Sequence, residues 1–380
     1  MMQGVPMRSL LSLGRFTRFW RTLAFVALSA FIVTVGSEKV FWYIQGVGSG
    51  WDPVIAVSIY IIPVLVGLWF LARGGTGLPG VVLAGAALGW VMEGVFTPEL
   101  YGDGPLGPFL PGYFAGWHGL LSVVTLWYLF RKWTVARNRR QLGRVAAAIG
   151  VFWGWWSMYY WLPDTINDPE LANMGFDAGV WQADKFAVYA FVFGTGLAAA
   201  HWLIGYVWPE RWEPTRRWTV VTLVVAALIS TPVLAAVPWG PAKLGSLLGI
   251  VWWANRKRQA GEPTVFPALR GRPPPANVAP ILLMPLTASL SYAALLAVRP
   301  SDAFISIFSF WIPTLSVAIG GGAAVVWAVR SRRRTTALDV AATARTRDRS
   351  PQNQQPGRAS GLPQGNTRWR VAPKRGRLKQ

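Results

Sequence analysis

Glu38, Glu93 and His118 are the residues of this chain whose types and positions best suit chemistry. Two carboxylates and one imidazole can bind a divalent ion, relay a proton, or act as general acid and base. Glu38 lies in the stretch SEKVFWYIQ, residues 37–45, at the end of a long apolar run; Glu93 lies in GWVMEGVF, just before Pro98; His118 follows GYFAGW. An ionisable group within an apolar segment is expensive unless it finds a partner. Consecutive helical residues point about 100° apart, so Glu38 and its neighbour Lys39 cannot share one narrow face. Glu38 falls on a face with Thr34, Trp42 and Gln45, and Lys39 on one with Val35 and Tyr43. The longer stem of Lys39 can snorkel outward, which leaves Glu38 as the residue in need of a partner.

Other polar groups are expected at the same end of the molecule. Tyr159, Tyr160 and Trp161 close a strongly aromatic stretch, and Asp184 and Lys185 open a later one. A cleft open to the outside and holding Glu38, Glu93 and His118 is the expectation. No recognised motif sharpens it: H-E-x-x-H, paired-His spacing and a Gly-rich phosphate loop are all missing from the sequence. The acids of the 163–184 segment lack the regular spacing of a calcium loop. There is no cysteine, which excludes disulfides, thiolate metal sites and a Cys nucleophile. The second histidine, His201 in AAAHWLIGY, is expected far from His118 in depth, which argues against paired axial ligation of a haem and favours a helix contact. The sequence therefore leaves the cofactor unknown and the metal question open.

The elements that must position these residues are membrane helices. Of 380 residues, 53% are hydrophobic and 14% charged, against about a quarter charged in an ordinary soluble domain. The apolar runs match the roughly 20 residues needed to cross a hydrocarbon core. They fall at about 22–45, 53–72, 78–97, 112–130, 145–162, 185–208, 218–236, 240–254, 276–297 and 302–329. Placed on this frame, 33 of the 37 Lys and Arg lie on one side; Lys39, Lys185, Lys243 and Arg299 are the exceptions. The positive-inside rule then predicts about ten spans with both termini cytoplasmic. The eighth run is short for a crossing. The fold expected is all-α, a polytopic transmembrane bundle: a basic cytoplasmic segment 1–21, a helical domain 22–334, and a disordered basic tail 335–380 that is poor in large apolar residues. The first apolar run is longer than a signal peptide's and is read as an uncleaved anchor. The excess of Arg over Lys, with abundant Ala, Gly and Pro, suits a GC-rich bacterium, hence a multi-pass protein of a bacterial plasma membrane. The 23 Trp suit aromatic belts, and the stretch 152–161 is read as one. Small residues in LAGAALGW, 83–90, and AIGGGAAVV, 318–326, are read as sites of close helix approach.

Three function classes fit this frame. The first is a carrier of a small molecule or lipid. The second is a membrane-embedded enzyme acting on a lipid-linked substrate through an outward-facing Glu/His site. The third is an assembly or accessory protein. Membrane lipids and a lipid-like or small-molecule substrate are the partners expected. A net charge of +21 invites a nucleic-acid reading, but the basic residues punctuate apolar runs and no recognition module is present.

Overall fold

The computed structural model describes residues 7–40, 52–73, 77–102, 107–169, 180–209, 212, 221–222, 224–226, 228, 231, 235–255 and 264–348. Among these, every regular element is helical. Six helices are long and apolar enough to cross a bilayer: Thr17–Lys39, Val54–Arg73, Leu78–Phe96, Ala183–Val207, Pro275–Val298 and Asp302–Arg334. The chain is a multi-pass, all-helical membrane protein. The remaining four of the ten expected runs are not among these six. Residues 110–135 form one helical run, and Arg139–Trp156 is a helix whose first turns carry three arginines. Gly240–Asn255 is 16 residues long. The run at 218–236 lies partly outside the described residues.

The principal helices are α1 (Met7–Thr34), α2 (Asp52–Arg73), α3 (Leu78–Val91), α4 (Leu110–Phe114), α5 (Phe130–Val135), α6 (Arg139–Trp156), α7 (Ala183–Val207), α8 (Gly240–Asn255), α9 (Leu283–Val298) and α10 (Ile312–Asp348). The chain divides into two units, 1–336 and 337–380. Within the first, α1 packs on α2 and α7, α2 on α3, α7 on α9, and α9 on α6. In the second, the described residues 337–348 are helical; the rest of the tail expected to be disordered, 349–380, lies outside the described residues.

Lipid tails are as apolar as leucine, so helix association in a membrane rests on close packing and internal hydrogen bonds. Small residues supply the close packing here. A Cβ added at Gly85 would lie 2.9 Å from the Gly119 Cα, and one at Gly89 would lie 2.6 Å from the Phe114 carbonyl oxygen. On the other side of the molecule, a Cβ at Gly154 would lie 2.8 Å from the Tyr292 nitrogen. Gly112, Gly116 and Gly321 meet backbone to backbone where α10 crosses residues 110–129. The small-residue strings of the sequence are thus seams between helices.

Two features depart from the sequence-based picture. The aromatic stretch 152–161 is mostly core rather than belt: Trp153, Trp156, Tyr160 and Trp161 are buried, and the Trp161 indole donates to the Tyr292 hydroxyl at 3.1 Å. Packing on α9 through Gly150 and Gly154 turns that face inward. Away from the Glu38 end, Arg131 is buried with no carboxylate partner among the described residues. Its guanidinium donates to the carbonyl oxygens of Leu269 (3.0 Å), His201 (2.8 Å) and Gly271 (2.5 Å) and stacks over Trp208. It fastens the irregular segment 264–272 to α5 and α7.

Candidate functional site

Glu38, Glu93 and His118 come from three different helices, and each sits where the helix loosens into π geometry. The π stretches are Val35–Lys39, Met92–Phe96 and Ala115–Leu129. A π turn carries an extra residue and bonds i to i+5, which re-aims the side chains around it. The Val40 N–H reaches the Val35 carbonyl at 2.9 Å, and the Thr97 N–H reaches Met92 at 3.3 Å. In the third stretch the hydroxyls of Ser122 and Thr125 also donate to carbonyls five residues back, on Trp117 and Leu120.

The seam between α3 and residues 110–129 explains how two of the groups meet. Gly85, Gly89 and Glu93 are spaced by four, so they lie on one face of α3. The two glycines bring that face against Phe114, His118 and Gly119. One turn further along, Glu93 Oε1 lies 2.6 Å from His118 Nε2. The other carboxylate oxygen of Glu93 accepts from the Thr97 hydroxyl at 2.5 Å.

The opposite edge of the imidazole faces α1 and α2. His118 Nδ1 is 2.8 Å from Ser37 Oγ, which in turn is 2.9 Å from Ser122 Oγ. The Tyr60 hydroxyl lies 3.4 Å from the same Nδ1 and donates a short hydrogen bond to Glu38 Oε1. The Trp117 indole fixes the backbone of the turn by donating to the Ser37 carbonyl at 3.2 Å. A run of polar contacts therefore goes Thr97–Glu93–His118–Tyr60–Glu38, with Ser37 and Ser122 as a branch; because the Tyr60 hydroxyl gives its proton to Glu38, its 3.4 Å contact with Nδ1 is a hydrogen bond only when Nδ1 carries a proton.

This chain is not a cleft open to the outside. Ser37 is 0% exposed, His118 2% and Glu93 6%; Glu38 is half-buried. The expectation of an outward-facing Glu/His site is corrected on that point. The partners that satisfy the carboxylate and imidazole are supplied by neighbouring helices, and those helices shut out solvent. Among the described residues no group of three or more His, Asp or Glu is placed to hold a metal ion. The polar atoms of Glu93 and His118 face each other and neighbouring hydroxyls instead.

The other residues expected at this end do not join the chain. Lys39 does not snorkel: it is buried, with its ammonium 5.6 Å from the centre of the Phe193 ring, and its carbonyl accepts from the Tyr189 hydroxyl at 2.9 Å. Asp184 and Lys185 are exposed on α7. Tyr159 stacks on Phe310, and Tyr160 is buried in the core. Trp42, Tyr43, Gln45 and Glu170 lie outside the described residues. His201 is fully buried near Phe130, and its carbonyl, not its ring, is the group that meets Arg131. Tyr189 touches the turn of Lys39 while His201 touches Arg131; twelve residues of helix, about 18 Å, separate the two levels. The two histidines therefore cannot flank one haem.

Sequence reasoning missed Tyr60, Ser37 and Ser122. Tyr60 reads as an ordinary aromatic in the apolar run SIYIIP. Ser37 stands beside Glu38 and was within view, but nothing in its spacing tied it to residue 118. The Gly85–Gly89–Glu93 spacing was the usable signal, because small residues at i and i+4 predict a close crossing and Glu93 continues the same face.

One charged group lies just outside the spans. Glu99, still exposed at one side on the short turn Pro98–Tyr101, has its carboxyl pushed up to about 7, first by partial loss of water and then by the negative charges of Glu93 and Glu38, with His118 opposing. The turn is held by the Tyr101 hydroxyl on the Gly94 carbonyl (2.9 Å) and by the Lys243 ammonium on the Leu100 carbonyl (2.7 Å).

No family model, no curated protein and no solved structure matches this chain.

Proposed function

We propose that this protein is a membrane carrier of a small molecule or lipid whose buried Glu93–His118–Tyr60–Glu38 chain relays a proton. The observation that carries the reading is the continuity of that chain. Two carboxylates from different helices are joined through one imidazole and one phenol, each within hydrogen-bond reach of the next. In neutral His118, Nε2–H donates to Glu93 and Nδ1 accepts from the Ser37 hydroxyl. On protonation, Nδ1–H turns donor. The proton passes to the Tyr60 oxygen while the Tyr60 proton moves to Glu38, so one proton travels from His118 to Glu38 and Tyr60 ends unchanged. The 3.4 Å step is the longest link, so a small motion of α2 against residues 110–129 makes or breaks the path. Such a link ties proton position to helix position, which is what a coupled carrier requires.

Burial favours relay over direct attack on a substrate. The Ser37 oxygen has hydrogen-bond partners on two sides and no exposed surface, so a scissile bond has no approach to it in this conformation. The order Ser37–His118–Glu93 does support a second reading, a membrane enzyme with Ser37 as nucleophile, His118 as base and Glu93 as its orienting carboxylate.

The test is infrared difference spectroscopy of the reconstituted protein across a pH titration. A carboxyl C=O band that shifts with pH and vanishes in Glu93→Gln and Glu38→Gln is expected. Solute-jump currents on the same proteoliposomes should depend on pH and be lost in both variants. A pH-silent carboxyl region, or currents that survive both changes, would overturn the relay. Covalent labelling of Ser37 by a fluorophosphonate would install the enzyme reading in its place.

A further inference from the structure

The carboxylate oxygens of the polar run are not equally engaged. Glu93 sets one oxygen on His118 and the other on Thr97, and both ring nitrogens of His118 have a partner. Glu38 sets Oε1 on Tyr60, while its Oε2 has no hydrogen-bond partner among the described residues. Glu38 also keeps exposed surface, whereas Ser37, Glu93 and His118 are buried. One end of the run is therefore half of a carboxylate with space beside it.

An ionised carboxylate oxygen only accepts, so it takes a cation or a hydrogen-bond donor. The neighbouring charges do not fill that place. Lys39 stands about 100° around the helix, with its ammonium over the Phe193 ring. His118 and Glu93 bear on Glu38 from their own helices and are held to each other, and Glu99 adds negative charge from the Pro98–Tyr101 turn. A bare metal ion needs several oxygen ligands at once, and among the described residues no group of three or more His, Asp or Glu is placed to give them. An organic ammonium is satisfied by one carboxylate and aromatic surface. The side chains of Tyr60, Trp117 and Tyr189 all touch the 37–39 turn.

We infer that Glu38 is the substrate contact of the carrier and that the substrate is a protonated organic amine, held at Oε2. The coupling rests on the proposed relay. A proton delivered through Tyr60 neutralises the carboxylate and releases the ammonium, and loss of that proton restores the site. Proton and amine thus exchange one for one at Glu38, and the bond made or broken is the carboxyl O–H.

Isothermal titration calorimetry of the full-length protein in detergent tests the site, with methylammonium, benzylammonium, sodium and benzoate as probes. Wild type should bind an ammonium probe and not benzoate. Its affinity should fall by about tenfold per pH unit once Glu38 is protonated, as competition with one proton requires. Glu38→Gln keeps the shape and the Tyr60 bond and should lose binding, and Glu38→Asp should restore part of it. Tyr60→Phe cuts the relay and should still bind, so amine binding without pH-dependent currents would remove the relay alone, and currents without amine binding would remove this inference alone. Ammonium binding by Glu38→Gln, no binding of either amine by wild type, or equal binding of sodium would overturn the inference.

Discussion

Tyr60 holds the polar chain together, because it is the group that links Glu38 to the imidazole. Tyr60→Phe keeps the ring and removes the donor, which takes the Tyr60 hydrogen bond away from the Glu38 carboxyl. A loss of about 1–3 kcal/mol is expected for a buried group so stranded, measured as lower thermal stability in detergent. The same variant should abolish pH-dependent currents, whereas Ser122→Ala, on the branch, should keep them. Glu99 carries the pH dependence that can be signed. Its carboxyl is raised from 4.5 to about 7 in the folded protein, so folding favours its protonated form. Its contribution is then full below 4.5 and lost as pH rises through about 7. Glu99→Gln should flatten the melting temperature across that window, and an unchanged slope would assign the effect elsewhere. Among residues, the sequence exposed the carboxylates and histidine because charge in an apolar run is conspicuous. It hid Tyr60 and Ser37 because a tyrosine or serine in a membrane helix is commonplace, and their roles exist only in the pairing of distant helices.

At the scale of elements, three loosened helical turns and one glycine seam do the positioning. Gly89→Val adds two methyl groups to a Cβ that would itself lie 2.6 Å from the Phe114 carbonyl oxygen and 3.0 Å from the His118 Cβ. The crossing must open, at a cost of about 1–3 kcal/mol for an overpacked contact. Glu93 and His118 should separate, seen as loss of the strongly deshielded imidazole N–H proton in NMR spectra. Gly245→Val on α8, where a Cβ would meet nothing within 4 Å, should leave that signal in place. The existence of most of these helices was legible from apolar length alone. Their burial was less so. The α3 run is hydrophobic all round, so apolar character alone picks out no inner face; its small residues pointed to close approach, and residues Gly80–Val91 are buried among other helices. The π stretches had no sequence signal, because propensity does not separate an i+4 from an i+5 bond.

For the whole molecule, the charge pattern of the sequence makes the sharpest claim, because it sets which end faces which compartment. The chain has no cysteine, so single cysteines report topology cleanly. Positions 103 and 170 should react with an impermeant thiol reagent from outside the cell, and 138 and 261 should not. Reversal of that pattern would invert the map and the placement of the Glu38 end with it. The ends of the bundle are also fastened by different chemistry. At the Glu38 end the helices are joined side chain to side chain, through two carboxylates, an imidazole and a phenol. At the other end Arg131 grips three backbone carbonyls, and a guanidinium keeps its charge across the physiological range. On the proposed relay, a change in proton position alters the side-chain links of the Glu38 end and leaves the backbone grip of Arg131 as it is.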